Sequence, residues 1–172
     1  MSADTQPTRG SHRGTELPGE ESAQGVHEFL GEDHRRLDAL FEALVQLAIQ
    51  KPESRQGKAL HLYREFRAGL QRHIRAEEEL LFPAFESVTG MVGGPVMVML
   101  REHREIEVVL GEIETRLQAG ESPEMLAASL RGVLGPHNVK EESVLYPMTD
   151  ANLAPAERAD LVRRIREILE TA

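Results

Sequence analysis

A chain of 172 residues, 40% hydrophobic and 28% charged, can bury one sizeable core, so a single domain with a tail is expected. A net charge of -9 argues against a nucleic-acid partner, which needs a basic patch, and the longest apolar runs, such as GPVMVML at 94–100, are too short to span a bilayer. The absence of cysteine excludes disulfides, thiolate catalysis, iron-sulfur clusters and cysteine-type zinc sites, so any metal must be held by histidine and carboxylate.

Residues 1–24 are polar, rich in Gly, Ser, Thr and Pro, and are expected to be a disordered tail in which His12 is solvated. The tail has no signal-peptide core, which points to a cytoplasmic protein. From Val26 onward Phe29, Leu30, Leu37, Leu40, Phe41, Leu44 and Leu47 recur at helical spacing, and QKPES ends this first helix at Pro52. Ser54 is the expected cap of a second helix, whose inward face reads Ala59, Leu62, Phe66, Leu70, His73, Glu77 and Leu80. After the glycine-rich break TGMVGGP at 89–95, a third stripe runs through Val96, Met99, Leu100, Ile106, Leu110 and Ile113 as far as QAGESP. Ser122 and Pro123 read as the cap and first residue of a fourth helix, with the stripe Leu126, Leu130, Val133, His137, Glu141 and Val144. Within it Gly135-Pro136 predicts a kink or restart. PAERADLVRRIREILE at 155–170 reads as a short amphipathic fifth helix. The fold class expected is therefore all-α: an up-and-down four-helix bundle over 25–150, with a C-terminal helix in 151–172 packed on it.

Two phrases recur. HIRAEEELLFP at 73–83 is matched by HNVKEESVLYP at 137–147, and upstream of each EDHRRLDAL at 32–40 is matched by REHREIEVVL at 101–110. Each half thus reads His, long gap, His-x-x-x-Glu, a pattern of internal duplication or of convergence on a pseudo-two-fold site. Residues four apart share a helix face, so His73 with Glu77, and His137 with Glu141, each present a nitrogen and an oxygen donor to a common point. His34 and His103 also lie on apolar stripes and point inward. Unpaired buried charges each cost several kcal/mol, roughly, which a metal would relieve. One tetrahedral zinc needs only four donors, whereas six suit a pair of ions preferring six-fold coordination. Two irons bridged by Glu77 and Glu141, with His34 and His73 on one and His103 and His137 on the other, use every donor and leave positions open.

DH at 33–34, EHREI at 102–106 and the two longer phrases resemble the hemerythrin-like, or HHE cation-binding, domain. The resemblance covers roughly 26–150 and implies a four-helix bundle around two non-haem irons, oxo- or hydroxo-bridged. It implies His34, His73, Glu77, His103, His137 and Glu141 as ligands, with dioxygen, peroxide or nitric oxide as the small partner. Oxygen-carrying hemerythrins differ, using His-x-x-x-His on the third helix and His-x-x-x-x-Asp on the fourth. The order found here is closer to bacterial hemerythrin-like proteins linked to peroxide or nitric oxide chemistry and to iron-centre repair proteins, although the latter carry a cysteine-containing segment. A sensor or binding module is the alternative to an enzyme. A ferritin-like bundle would need Glu-x-x-His, which none of the seven histidines satisfies, and HEFLG at 27–31 fails the zincin pattern.

For the neighbouring residues the reading is less specific. Glu78 and Glu142 are read as solvent-facing or as supports for the ligands, and Asp38 and Glu107 as exposed charges or as groups orienting His34 and His103, with Glu107 as an extra iron ligand the minority reading. Phe82 and Tyr146 are core, with Tyr146 able to reach a bound ligand. His27 and His61 fall outside the site. Without metal, two facing carboxylates should raise one carboxyl pKa.

Overall fold

Described residues 24–171 of the computed structural model contain helices and turns, with no strand among them. The tail, with His12, falls almost wholly in residues 1–23, outside the described residues. α1 (Val26–Gln50) ends where predicted: Lys51, pushed out of helical backbone by the proline after it, has φ −129° and ψ 79°. Ser54 does not cap the second helix as expected. Its hydroxyl donates to the Lys51 carbonyl at 2.6 Å and so closes the end of α1. The chain passes through a 3-10 turn and a wide π turn, Arg55–Ala59, into α2 (Leu60–Ala76). A second π turn, Glu77–Leu81, joins α2 to α3 (Phe82–Thr89), which stops at Gly90 with φ 70°, a left-handed conformation that suits glycine. α4 (Gly94–Gln118) and α5 (Glu124–Lys140) follow, then a third π turn, Glu141–Leu145, α6 (Tyr146–Asn152) and α7 (Pro155–Leu169).

The four rods of the bundle are α1, α2 with α3, α4, and α5 with α6. α1 packs chiefly on α2, and α4 on α5, so the doubled sequence becomes two helix pairs. α7 buries Leu161, Val162 and Ile165 in the same cluster as Val26, Leu81 and Phe85, covering one end of the bundle. Asp150 fastens that end, its carboxylate accepting the Val26 and His27 backbone N–H groups at 2.9 and 3.0 Å. It thereby caps the exposed donors of α1 from the far end of the chain. A Cβ at Gly25 would stand 2.6 Å from the Asp150 carboxylate, so this approach requires the glycine.

α5 runs through Gly135-Pro136 without restarting: Gly132, whose carbonyl loses its donor to the proline, is exposed, and water can serve it. The helices instead widen at Glu77 and Glu141, where an N–H five residues on, from Phe82 and Tyr146, bonds each glutamate's carbonyl. One extra residue in a turn rotates everything after it by one position. The inward residues are accordingly Leu81 and Leu145, not Leu80 and Val144, and Val144 is 40% exposed. Phe82 thereby stacks on His103, and Tyr146 reaches the glutamates that begin the two turns.

The apolar interior falls into two clusters, one around Phe41, Phe66 and Leu110 and one around Leu30, Phe85 and Met99. The larger includes Phe66, which is 1% exposed with its ring 4.8 Å from that of Phe41. Phe66→Ala should lower unfolding free energy by about 3–5 kcal/mol, seen as a lower urea midpoint with little change in slope.

Candidate metal centre

Between the apolar clusters lies a polar layer. Leu30 and Leu37 bracket His34 on α1, Leu70 and Ala76 bracket His73 on α2, and Met99 and Ile106 bracket His103 on α4, in each case one residue from either cluster. His137 follows Leu134 on α5, and Glu77 and Glu141 open the π turns. All six residues are at most 4% exposed, and both glutamates are fully buried. The structure brings together the six residues expected from sequence spacing, in two groups of four donors. His34, His73, Glu77 and Glu141 make one; Glu77, His103, His137 and Glu141 make the other, with the donor atoms of each group within 4.8 Å of one another. Each glutamate belongs to both groups.

Every imidazole is held from behind by a carboxylate. His34 Nδ1 lies 2.8 Å from Glu142, His73 Nδ1 2.8 Å from Asp33, His103 Nδ1 2.8 Å from Glu78, and His137 Nδ1 3.0 Å from Glu102. A carboxylate accepting Nδ1–H leaves Nε2 as the lone-pair donor aimed into the layer. The pattern obeys the pseudo-two-fold: the acid before the first histidine of a half holds that half's second histidine, and the acid after each glutamate holds the first histidine of the other half. Asp33 and Glu102 are each paired with a cation in turn, Arg36 on the same helix and Lys140 on the neighbouring one, so the correspondence ends at the acids.

Sequence reasoning missed Asp33 and Glu102, although both stand in the repeated phrases as the acid before a histidine. The groups favoured there, Asp38 and Glu107, take other places. Asp38 makes no hydrogen bond to His34, and Glu107 accepts from Gln71 at 3.1 Å on the surface. Glu78 and Glu142, 39% and 36% exposed at the side chain, combine both roles proposed for them. His61 is exposed beside Glu65, and His27 is exposed as well.

The two groups differ at one atom. Tyr146 Oη lies 3.3 Å from His34 Nε2, 3.4 Å from His73 Nε2 and 3.2 Å from Glu141 Oε2, and it donates to Glu77 Oε1 at 2.5 Å. Burial, with Glu141 and Glu77 beside it, raises its pKa well above the ordinary value. At the equivalent place in the other group Phe82 stacks on His103, ring centroids 5.6 Å apart.

In the second group, polar atoms of like character face one another. His103 and His137 oppose their Nε2 atoms at 3.2 Å, while Glu77 Oε2 and Glu141 Oε1 are buried without a hydrogen-bond partner. His137 Nε2 is 3.1 Å from Glu141 Oε1, but not in hydrogen-bonding alignment. Two lone pairs face to face beside two orphaned carboxylate oxygens are what a positive ion would reconcile. The donors present therefore fit a metal, and nitrogen with carboxylate oxygen suits a first-row divalent or trivalent ion.

Without metal, protons take that part. Burial opposes a charge on His73, yet Glu77 and Asp33 outweigh it and raise the pKa to about 10; His137 rises likewise to about 9 against Glu141, Glu77 and Glu102. Burial also opposes the charge of Glu77, but His73 and His103 hold it well below the usual carboxylate value. The expectation of a raised carboxyl pKa fails at Glu77, because the imidazoles separate the two carboxylates electrostatically.

A four-helix bundle with two adjoining sets of buried nitrogen and oxygen donors defines a class, that of metal-binding bundles. Within that class, the chain belongs to the hemerythrin HHE cation binding domain family, whose sequence model matches residues 26–149. No match was found among curated proteins or among solved structures.

Two outcomes follow from this geometry. In metal-free protein the raised histidines contribute stability that is full below about pH 6.5, declines above it and is gone once pH passes about 9 to 10. The depressed Glu77, Asp33 and Glu102 contribute stability that is lost as pH falls below the carboxylate range. Denaturant unfolding against pH should therefore give a dome with both limbs, and a stability still rising above pH 9 would contradict it. Asp33→Ala, which frees the His73 ring, should weaken metal binding about 10–100-fold with all six donors intact, measured by chelator competition. Asp38→Ala should leave it unchanged.

Proposed function

We propose that this chain is a non-haem diiron protein that binds or reduces a small oxidant: dioxygen, peroxide or nitric oxide. The observation that carries the reading is the sharing of Glu77 and Glu141 between two groups of four donors, which suits two ions side by side rather than one. In this assignment His34 and His73 would hold one ion and His103 and His137 the other, with Glu77 and Glu141 shared between them. When bound, the iron pair supplies redox equivalents and open coordination positions for a small ligand.

The remaining work falls to the chain. Asp33, Glu78, Glu102 and Glu142 fix the imidazole tautomers, and the opposing carboxylate charge keeps the rings basic. The apolar clusters above and below exclude water from the layer, which strengthens each electrostatic contact inside it. Because His73 and His137 hold extra protons when the metal is absent, loading at neutral pH releases them.

A sensor reading has one observation in its favour. α7 packs on α2 and on the π turn that starts at Glu77, and Arg72, beside His73, donates to the Leu169 carbonyl at 3.1 Å. A change at the site thus has a short path to a surface helix. Sustained consumption of peroxide or nitric oxide favours the enzyme; a stoichiometric reaction with altered hydrogen exchange in α7 favours the sensor.

Metal analysis tests the assignment. Reconstituted with ferrous iron and exposed to air, wild type should hold about two irons per chain and absorb by oxo-to-iron charge transfer. Glu77→Ala and Glu141→Ala should lose both ions together, His34→Ala and His103→Ala should keep about one, and His61→Ala should match wild type. Full loading in His73→Ala and His137→Ala would overturn the ligand set.

A further inference from the structure

The repeated halves agree at every donor but diverge just past the π turn, where one has Phe82-Pro83 and the other Tyr146-Pro147. Both rings stack on a histidine of the layer: Phe82 on His103 with centroids 5.6 Å apart and planes 18° apart, Tyr146 on His34 at 5.8 Å and 30°. They are pseudo-two-fold mates, and the hydroxyl is what tells the two positions apart. It meets all four donors of its group, at 2.5 to 3.4 Å. Donors bound about 2.1 Å from an ion, on neighbouring octahedral corners, stand about 3 Å apart. The Tyr146 oxygen therefore has the spacing of a fifth donor adjacent to the other four. The far group has no such atom, and its corresponding wall is the apolar face of Phe82.

We infer that Tyr146 supplies its phenolic oxygen to the ion held by His34 and His73, so that this ion has one protein donor more than the ion held by His103 and His137, which faces Phe82 and receives the external ligand. This rests on the diiron reading and deepens it. Binding replaces the O–H bond by an oxygen-metal bond; the proton passes to solvent and no electron is transferred. An ion reverses the local electrostatics that otherwise keep the phenol neutral. The same reasoning gives the first ion five protein donors and the second four.

The chain has two tyrosines, and the other, Tyr63, donates to the Leu110 carbonyl within the core. A phenolate signature on iron therefore belongs to Tyr146. The full-length protein, loaded with iron and oxidised, should show a visible phenolate-to-iron band whose excitation enhances tyrosine ring vibrations in the Raman spectrum. Tyr146→Phe should abolish both while iron remains in the second group. Azide, a small anionic probe, should saturate wild type at one ion and Tyr146→Phe at both. Wild type that holds iron without enhanced ring modes, ring modes that survive in Tyr146→Phe, or equal azide stoichiometry would each overturn the inference. Fewer than two irons in wild type strikes the diiron reading instead, and the ring modes of whatever iron is held then still decide this one.

Discussion

Everything in this fold answers to a sheet of charge that the bundle carries through its middle. Four imidazoles and two carboxylates lie between two apolar clusters, at a depth where an unpaired charge costs several kcal/mol, roughly. The answer is built outward in shells: the glutamates and imidazoles oppose one another at the centre, carboxylates hold the outer ring nitrogens, and Arg36 and Lys140 pair with two of those carboxylates at the rim. Each step outward is more exposed than the last, so the cost of burying charge is graded and ends in water. Because all four rods contribute, the layer also fixes how they sit against one another, a task that apolar packing alone performs with less specificity.

Two of the four bonds of the outer ring cross between halves, while the other two stay within a half. Glu142 of the second pair holds His34 of the first, and Glu78 of the first holds His103 of the second. Neither helix pair therefore completes its own set of oriented rings. Loss of Glu78 or Glu142 frees a ring in the opposite half, so the two repeats, although similar in sequence, are tied to each other through the layer rather than merely joined end to end.

How much of this could be read from residue order follows from where each partner lies. The six central donors announce themselves because spacing along a helix reports which residues share its face, and the doubled spacing removes coincidence. Asp33 and Glu102 do not, because their partners are on a neighbouring helix. Spacing favoured Asp38 and Glu107, four after a histidine, whereas the residue just before a histidine faces sideways and reaches across. The inward positions after each central glutamate were misplaced by one residue for a related reason: a period of 3.6 cannot foresee a turn of five-residue bonds. The aromatic-Pro dipeptides ending both widened turns are the local mark such a reading could use, since proline crowds the turn before it. Gly135-Pro136 shows the limit of that mark, for there the orphaned carbonyl simply faces water.

The carboxylate of Asp150 caps α1 across 124 positions of chain. A polypeptide emerges from the ribosome in order, so the leading N–H groups of α1 go without this partner until Asp150 has been made. Closing so long a loop carries an entropic cost that grows only slowly with length, so delay is no great burden on the finished fold. It does order events in time: the pairing of α1 with α2 can come early, whereas the start of α1 is secured only when α6 has arrived, after the last residue of the charged layer has been synthesised.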